Sequence, residues 1–325
     1  MITYPNVKLN LGLNVLRRRP DGYHDLETLF VPYTGLHDTL EIISGDDFSR
    51  TLSSLVHNYS DGEQGLPENR ATLGIVRGRG PATAGRGPAE QDVLGETLLS
   101  GSDVPSAGKI LQAIRGDGKV MVTIARAEGV DWDPLKDLTV KAYEVLEQDF
   151  KLPPVKICLE KTSPVGAGLG GGSADAAFAL RMMSEMFNLG LDDASLAAYA
   201  ARLGSDCAFF IYNRPMFGSG RGEILDPYEI DLSAYDVRVS IPAGVAVSTA
   251  DAYRGITPRE PEVPLREVLA RPVSQWRGSL VNDFEATVFA KYPSIAAAKE
   301  RLYTDGALYA SMSGSGSALF GIFRR

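Results

Sequence analysis

The 325-residue sequence contains only two cysteines, Cys158 and Cys207, and both lie in apolar stretches. This number excludes a disulfide framework, and their spacing matches no metal site, so we interpret both as buried thiols. The sequence also lacks an apolar run long enough to cross a bilayer and a basic-then-apolar leader at "MITYPNVKLN". We therefore expect a soluble, cytoplasmic protein with no membrane partner.

The sequence also has no excess of positively charged residues. The 41 acidic residues outnumber the 33 Lys and Arg, which gives a net charge of -8. This charge argues against nucleic acid or an anionic membrane surface as a partner. Hydrophobic residues make up 44% of the chain, enough for substantial cores, and the length allows two modest domains.

Aromatic residues are almost absent from residues 46–117, where "RGRGPATAGRGPAEQD" (77–92) is rich in Gly, Pro, Ala and Arg. Such a composition buries too little apolar surface to offset the entropy lost on ordering. We expect a flexible insertion over about 46–117. An Arg/Gly segment that binds nucleic acid is the alternative, but acidic residues dilute its charge.

Glycine is concentrated in "PVGAGLGGGSADAA" (164–177), which has five of them. The residues before it, "VKICLE" (155–160), predict a strand, and residues 174–189 predict a helix. Backbone N–H groups at a helix N-terminus attract anions, so the pattern predicts a phosphate-binding loop. A plain flexible turn is the alternative, although turns rarely use so many glycines and then begin a helix.

Known phosphate-binding loops give three interpretations of this segment. A dinucleotide-binding G-x-G-x-x-G needs a following strand and an acidic residue about 20 residues on. Here "LDDASLAAYAARLG" (191–204) predicts a second helix instead. A Walker A loop needs a lysine, whereas this loop ends in Gly172-Ser173-Ala174. The H-R-D and D-F-G elements of protein kinases are absent from the sequence.

The loop closely resembles the ATP-binding motif of the GHMP small-molecule kinases. Other segments match that family in order: "VKLNLGLNV" (7–15), "RPDGYHDLETLF" (19–30), "LGSDCAFFIY" (203–212), "GRGEIL" (220–225) and "MSGSGSALF" (312–320). The D-G-Y-H element is the most discriminating. It resembles the corresponding element of the GHMP kinases that act in non-mevalonate isoprenoid biosynthesis. The acceptor of those kinases is a small molecule with a cytidine diphosphate group.

The resemblance implies an α+β, two-domain GHMP-kinase-like fold with the active site in the cleft between the domains. Residues 1–225 would form the ATP-binding N-terminal domain and residues 226–325 the C-terminal domain. The family usually continues beyond "ALFGIFRR", so we expect a truncated second domain. The implied activity is phosphorylation of a hydroxyl group with ATP and Mg²⁺, by a monomer or homodimer.

The resemblance also implies which residues bind ATP. They are Pro164, Gly166, Gly168, Leu169, Gly170, Gly171, Gly172 and Ser173 in the loop, with Lys161 just before it. Ser173 is in addition the candidate Mg²⁺ ligand, with a simple helix N-cap as the alternative. Lys161 could equally be an ordinary solvated lysine.

Two residues are implied to carry the chemistry. Asp206 would take the proton from the acceptor hydroxyl, although a helix cap explains it equally well from local sequence. Lys8 would stand beside Asp206 and steady the charge of the transferring phosphoryl group. Strict alternation over 7–15 places Lys8 and Asn10 on one strand face, which a solvent-facing polar face would also explain.

The acceptor would be bound by several short segments. Tyr23 would stack on the cytosine and His24 would read its edge, although both rings could instead pack in the core. The other implied acceptor-binding residues are Asn10, Thr249, Tyr253, Ser313, Gly314 and Gly316. The last three belong to a Gly/Ser loop that could bind phosphate through its N–H groups or be a simple turn.

Two other functions stay open at this point. Another GHMP-type kinase, acting on mevalonate, homoserine or a sugar, would share most of these motifs, and the Tyr23-His24 pair argues against it. A non-catalytic ligand sensor on the same fold would have no need of both Lys8 and Asp206.

Overall fold

A computed structural model describes residues 1–45, 51, 74–77 and 108–325. Its strands are β1 (Ile2–Thr3), β2 (Asn6–Arg18), β3 (His24–His37), β4 (Thr39–Ser44), β5 (Gly74–Arg77), β6 (Gly108–Ile114), β7 (Val120–Val130), β8 (Val155–Lys161), β9 (Met216–Ser219), β10 (Ile224–Pro227), β11 (Tyr235–Ser240), β12 (Tyr309–Met312) and β13 (Leu319–Arg324). Its α-helices are α1 (Leu138–Glu147), α2 (Gly171–Met186), α3 (Asp193–Ala201), α4 (Cys207–Tyr212), α5 (Thr249–Arg254), α6 (Leu265–Leu269), α7 (Phe284–Lys291) and α8 (Pro293–Thr304). The α+β prediction is confirmed.

The chain forms two compact units, and neither is continuous in sequence. Unit 1 consists of Met1–Pro5, His37–Thr162 and Asp175–Asp192, and unit 2 of Asn6–Leu36, Ser163–Ala174 and Asp193–Arg325. The glycine loop therefore belongs to unit 2, while the strand before it belongs to unit 1. The boundary between residues 225 and 226 stays a prediction. No helix in the described ranges has the length and apolar character to cross a membrane.

Unit 1 contains a six-stranded sheet in the order β1-β4-β8-β7-β6-β5. Strand β8 pairs antiparallel with β4 and parallel with β7. Because it lies between these two neighbours, its central residues Ile157 and Leu159 are fully buried. The predicted strand at 155–160 is thus confirmed, and it ends at Lys161, directly before the glycine loop.

The predicted flexible insertion over 46–117 is wrong at its C-terminal end. Residues Gly108–Ile114 form β6, which pairs antiparallel with β7 and parallel with β5. The sequence "KILQAI" supplies a short apolar run whose Leu111 and Ala113 are buried. Averaging the composition over the whole segment hid this run. The rest of the predicted insertion, apart from Thr51 and the strand β5, lies outside the described residues up to 107.

Unit 2 contains a four-stranded sheet, β10-β9-β3-β2, and a three-stranded sheet, β11-β13-β12. Strand β2 contributes Leu9 and Leu11 to a buried cluster that also includes Trp276 and Phe320. The alternating polar positions of β2 are buried as well, with Lys8 only 3% exposed. The interpretation of a solvent-facing polar face is therefore wrong, and buried polar groups of this kind require hydrogen-bond partners.

Candidate active site

A cavity of about 900 Å³ lies within unit 2. Strands β2 and β3, the glycine loop, the turn before α4, helix α5 and the loop after β12 all contribute to its wall. The predicted site residues in this wall are Lys8, Asn10, Tyr23, His24, Gly168, Ser173, Asp206, Thr249, Tyr253 and Gly314. Residues far apart in the sequence, and predicted for different roles, therefore share one cavity.

Lys8 and Asp206 form an ion pair in this wall. Lys8 Nζ lies 3.4 Å from Asp206 Oδ2, and the side chains are 4% and 31% exposed. Asp206 directly precedes α4, yet its side chain makes no capping hydrogen bond. The helix-cap interpretation is therefore wrong, and the carboxylate stands beside a buried ammonium at a cavity. A carboxylate in this position can accept a proton from a bound hydroxyl group.

Asn10 holds the Lys8 side chain in place. Lys8 Nζ donates to Asn10 Oδ1 at 2.5 Å, which fixes the orientation of the amide because an ammonium has no acceptor. The amide nitrogen of Asn10 donates to Thr28 Oγ1 at 3.0 Å, and Thr28 donates to the Gly12 carbonyl. Asn10 thus contacts the catalytic candidate directly. Thr28 was missed by the sequence analysis, because nothing marks it within the apolar pattern of β3.

The glycine loop uses left-handed backbone at Gly166, Gly168 and Gly170, with φ of +70°, +78° and +73°. A Cβ on Gly168 would lie 2.1 Å from the Ser313 carbonyl oxygen, and one on Gly170 would lie 3.3 Å from Lys8 Cε. A Cβ on Gly166 would meet nothing within 4 Å. Close packing therefore requires glycine at 168 and restricts 170, whereas at 166 only the backbone conformation favours it.

Helix α2 begins directly after this loop. Its first intrahelical hydrogen bond runs from the Ala174 N–H to the Gly170 carbonyl at 2.9 Å. The N–H groups of Gly171, Gly172 and Ser173 precede this bond, and such groups sit at the positive end of the helix dipole. With glycine backbone on the approach, this segment fits the phosphates of a nucleotide.

A Mg²⁺ ion bound with the nucleotide would need oxygen ligands from the wall of this cavity. The described residues contain no group of three or more His, Cys, Asp or Glu side chains that could hold a metal ion. Mg²⁺ commonly binds through one or two protein oxygens together with phosphates and waters. The Asp206 carboxylate and Ser173 hydroxyl are suitable oxygens of the cavity wall. Burial raises the pKa of the neighbouring Cys207 thiol to about 12, with Ser173 as its hydrogen-bond partner.

Aromatic rings also line the cavity. His24 and Tyr253 are stacked, with centroids 4.9 Å apart and planes at 21°, and Tyr253 meets Phe284 edge-on. Tyr23 is 58% exposed, so it is not a core residue, and the Arg221 guanidinium lies 4.9 Å from its ring centroid. Burial raises the pKa of Tyr253 to about 12, which keeps its hydroxyl protonated.

The loop after β12 is shaped by a residue that the sequence analysis missed. The Asn282 side-chain amide donates to the carbonyls of Met312 and Gly314 at 2.8 and 2.9 Å. Gly314 and Gly316 both have positive φ, of +54° and +83°. Asn282 thereby holds the loop in a conformation in which Gly314 lines the cavity.

Side chains of this loop form further hydrogen bonds. Ser313 is fully buried, and its hydroxyl donates to the Gly168 carbonyl at 3.1 Å, which links this loop to the glycine loop. Ser315 lies in the cavity wall, 2.9 Å from the Thr249 hydroxyl. The hydroxyl of Ser313 therefore has a structural partner already, and Ser315, which was not predicted, is the serine of this loop that lines the cavity.

Comparisons with known proteins agree with this geometry. The family model "GHMP kinases N terminal domain" matches residues 137–214, and "GHMP kinases C terminal" matches 268–325. A 4-diphosphocytidyl-2-C-methyl-D-erythritol kinase of Bacteroides fragilis is 42% identical over 99% of this chain and 92% of its own. The enzyme of the same name from Bacteroides thetaiotaomicron is 38% identical with the same coverage.

This chain belongs to the 4-diphosphocytidyl-2-C-methyl-D-erythritol kinase family of GHMP kinases. A crystal structure of 4-(cytidine 5'-diphospho)-2C-methyl-D-erythritol kinase has a TM-score of 0.64 and 27% identity, covering 99% of this chain and 90% of that one. A homoserine kinase from Cytophaga hutchinsonii has a TM-score of 0.55 at 15% identity, which shows a shared fold alone. Membership of this kinase family implies use of ATP and a small-molecule substrate.

One predicted ATP-binding residue of this kinase has an unexpected environment. Lys161 lies in unit 1, is 4% exposed, and forms ion pairs with Asp38 and Asp175. The interpretation of Lys161 as a solvated lysine is therefore wrong. Its spacing before the glycine loop gave no sign of these partners, because Asp38 is 123 residues away in sequence.

Proposed function

We propose that this chain transfers the γ-phosphoryl group of ATP to the 2-hydroxyl of 4-diphosphocytidyl-2-C-methyl-D-erythritol, with Mg²⁺, in non-mevalonate isoprenoid biosynthesis. The observation that carries the proposal is the Lys8–Asp206 pair. Its carboxylate lines a cavity and caps no helix, and it lies 3.4 Å from a buried ammonium. Phosphoryl transfer requires little more than this: positioned reactants, a proton acceptor and cationic charge.

Asp206 is the proposed proton acceptor. Its partial exposure at the cavity lets a hydroxyl approach, and the Lys8 ammonium lies 3.4 Å from the carboxylate. Lys8 itself is directed by Asn10, so its charge has a fixed position. A Cβ on Gly314 would lie 3.4 Å from Lys8 Nζ, so the glycine leaves room next to the ammonium. Fixed positive charge of this kind stabilises the oxygens of the transferring group.

The glycine loop and the start of α2 are proposed to bind the ATP phosphates through backbone N–H groups. Mg²⁺ would neutralise phosphate charge, with the Ser173 hydroxyl as its protein oxygen. Ser173 lies at the start of α2 and lines the cavity. Each of these residues belongs to unit 2.

The cytidine end of the acceptor is proposed to lie on Tyr23. Because His24 and Tyr253 already stack on each other, Tyr23 is the ring with an exposed surface for cytosine. Stacking of a base on an aromatic ring contributes about 1–3 kcal/mol. The Thr249–Ser315 hydroxyl pair and the backbone of Gly314 lie in the same wall and supply polar groups for the rest of the acceptor.

ADP release measured with a panel of acceptors tests this function. The purified chain is incubated with ATP and Mg²⁺ and one of four additions: the cytidine acceptor, mevalonate, homoserine or buffer. We expect release with the cytidine acceptor alone. Equal release with mevalonate or homoserine would point to another GHMP-type kinase. A folded chain that binds ATP and the cytidine acceptor but releases no ADP would point to a ligand sensor.

A further inference from the structure

A buried charge cluster in unit 1 has no place in the proposed reaction. The Lys161 ammonium lies 2.6 Å from Asp175 Oδ2 and is also bound by Asp38 Oδ2. Asp38 is 0% exposed and Asp175 is 1% exposed. Burial of charged groups is costly unless they are paired and hydrogen bonded, and replacement by apolar residues is often stabilising. Stability alone is therefore a poor reason for this cluster.

The cluster connects the two ends of the glycine loop. Lys161 ends β8, immediately before the loop, and Asp175 is the fifth residue of α2, immediately after it. Asp38 also fixes the backbone before the loop, because its Oδ1 accepts a hydrogen bond from the N–H of Thr162 at 2.7 Å. The loop segment Ser163–Ala174 belongs to unit 2, while Thr162 and Asp175, which flank it in the chain, belong to unit 1. One ammonium thus joins side chains on both sides of the loop.

The two carboxyl oxygens of Asp175 have different surroundings. Asp175 Oδ1 is buried and has no hydrogen-bond partner in the part of the chain that the structure describes. Burial raises the pKa of the Asp175 carboxyl well above its usual range, against the lowering effect of Lys161. Asparagine at 175 would keep a side-chain oxygen that can accept from the Lys161 ammonium.

We propose that Lys161 and Asp175 are positioning residues: their link across the loop holds it in the shape in which its backbone N–H groups bind the ATP phosphates. The proposal rests on the proposed function, because ATP is its ligand. A segment with five glycines loses more conformational entropy on ordering than other sequences. Fixed ends reduce the part of this cost that falls on nucleotide binding. Lys161 therefore acts on ATP affinity without contacting ATP.

The first test changes only Asp175. Asp175→Ala breaks the link and leaves the Lys161–Asp38 pair, whereas Asp175→Asn keeps the acceptor oxygen. We expect Asp175→Ala to raise the Kd for ATP, measured by calorimetry without acceptor, about tenfold. We expect Asp175→Asn to stay within about twofold, and kcat at saturating ATP to change little in both. Unchanged affinity in Asp175→Ala, or equal loss in Asp175→Asn, would overturn the proposal.

A double-mutant cycle separates this role from a direct contact. If Lys161 acts through Asp175, then Lys161→Met, Asp175→Ala and the double variant raise the Kd for ATP by similar factors. Factors that multiply in the double variant would mean that Lys161 contacts the nucleotide itself, and would overturn the proposal. Should Lys161→Met fail to fold because Asp38 loses its counter-charge, the cycle is built in the background of Asp38→Asn.

Lys119→Met is the matched control. Lys119 pairs with Glu147 at 2.6 Å and precedes β7, whose start pairs with the start of β8. Lys161 is six residues further along β8, about 20 Å away. We expect no change in the Kd for ATP, and a change equal to that of Asp175→Ala would overturn the proposal. Because binding is measured without acceptor, absent turnover with the cytidine acceptor would reject the proposed function and leave this test valid.

Discussion

Two buried lysines, Lys8 in unit 2 and Lys161 in unit 1, have similar exposure and opposite surroundings. Among the described residues, Lys8 pairs with the partly exposed Asp206 carboxylate, at 3.4 Å, and with an amide oxygen. Lys161 pairs with the fully buried carboxylates of Asp38 and Asp175, the latter at 2.6 Å. The positive charge of Lys8 is thus only loosely compensated and lies at a cavity, whereas that of Lys161 is compensated within the protein. This difference is the reason for the proposals that Lys8 takes part in the chemistry and that Lys161 fixes the geometry of the loop.

The largest effect is expected on the carboxylate beside Lys8. Asp206→Asn keeps the shape of the side chain and removes the proton acceptor, so we expect kcat to fall by about 10³-fold with little change in ATP affinity. Asp226→Asn is the control, because this aspartate is 63% exposed and pairs with Arg266 at the surface. Turnover of Asp206→Asn close to that of the control would remove Asp206 from the base role.

Replacement of Lys161 is expected to lower the free energy of unfolding more than replacement of Lys8. Lys161→Met leaves buried carboxylates without their counter-charge, which costs about 3–5 kcal/mol in similar cases. Lys8→Met leaves an aspartate that is still partly solvated, so we expect a smaller loss. Urea unfolding of both variants measures the two free energies. A larger loss for Lys8→Met would contradict the contrast between the two sites.

Alanine substitutions at two glycines of the loop test whether the close contact between Gly168 and Ser313 contributes to ATP binding and stability. Both Gly166 and Gly168 have positive φ, so each alanine pays about 1–2 kcal/mol of backbone strain. Only Gly168→Ala adds a clash, with the Ser313 carbonyl, for about 1–3 kcal/mol more. We expect the Kd for ATP and the unfolding midpoint to change more in Gly168→Ala. Equal effects would mean that the contact with Ser313 carries no weight.

The smallest effect is expected at the acceptor. Tyr23→Ala removes the exposed ring, and loss of one stacked base costs about 1–3 kcal/mol, so KM for the cytidine acceptor should rise by about 5- to 150-fold. Tyr23→Phe keeps the ring and should behave like the unchanged chain. Initial rates at varied acceptor and saturating ATP measure both. An unchanged KM in Tyr23→Ala would place the cytosine elsewhere.

Local sequence patterns predicted the strands and helices that flank the glycine loop, because alternation and helical spacing are local properties. The burial of Lys8 and Asn10 on the second face of β2 was not predictable, since that face is covered by distant residues. The same holds for Asn282, which shapes the loop after β12 through two carbonyls, and for the Asp38 partner of Lys161. Contacts between distant segments leave no periodic signal in one sequence.

The family resemblance supplied what periodicity could not. It singled out Asp206 from an apparent helix cap, and the structure shows that the carboxylate caps nothing. It also implied a role for Lys161 from its position before the loop. A match in sequence position does not reveal the ion pairs that a residue forms. The strand β6 inside the expected insertion was missed because its short apolar run is averaged with its Gly- and Pro-rich neighbours.

The contrast between the two lysines is tested most directly by single-turnover phosphoryl transfer at saturating ATP and acceptor, with Lys8→Met beside Asp175→Ala. A lysine that stabilises the transferring group affects this rate, and we expect a loss of about 10²-fold or more in Lys8→Met. A residue that only positions the loop does not affect this rate at saturating ATP. Asp175→Ala should therefore keep the rate within about twofold. Equal losses in both variants, or a normal rate in Lys8→Met, would contradict the account.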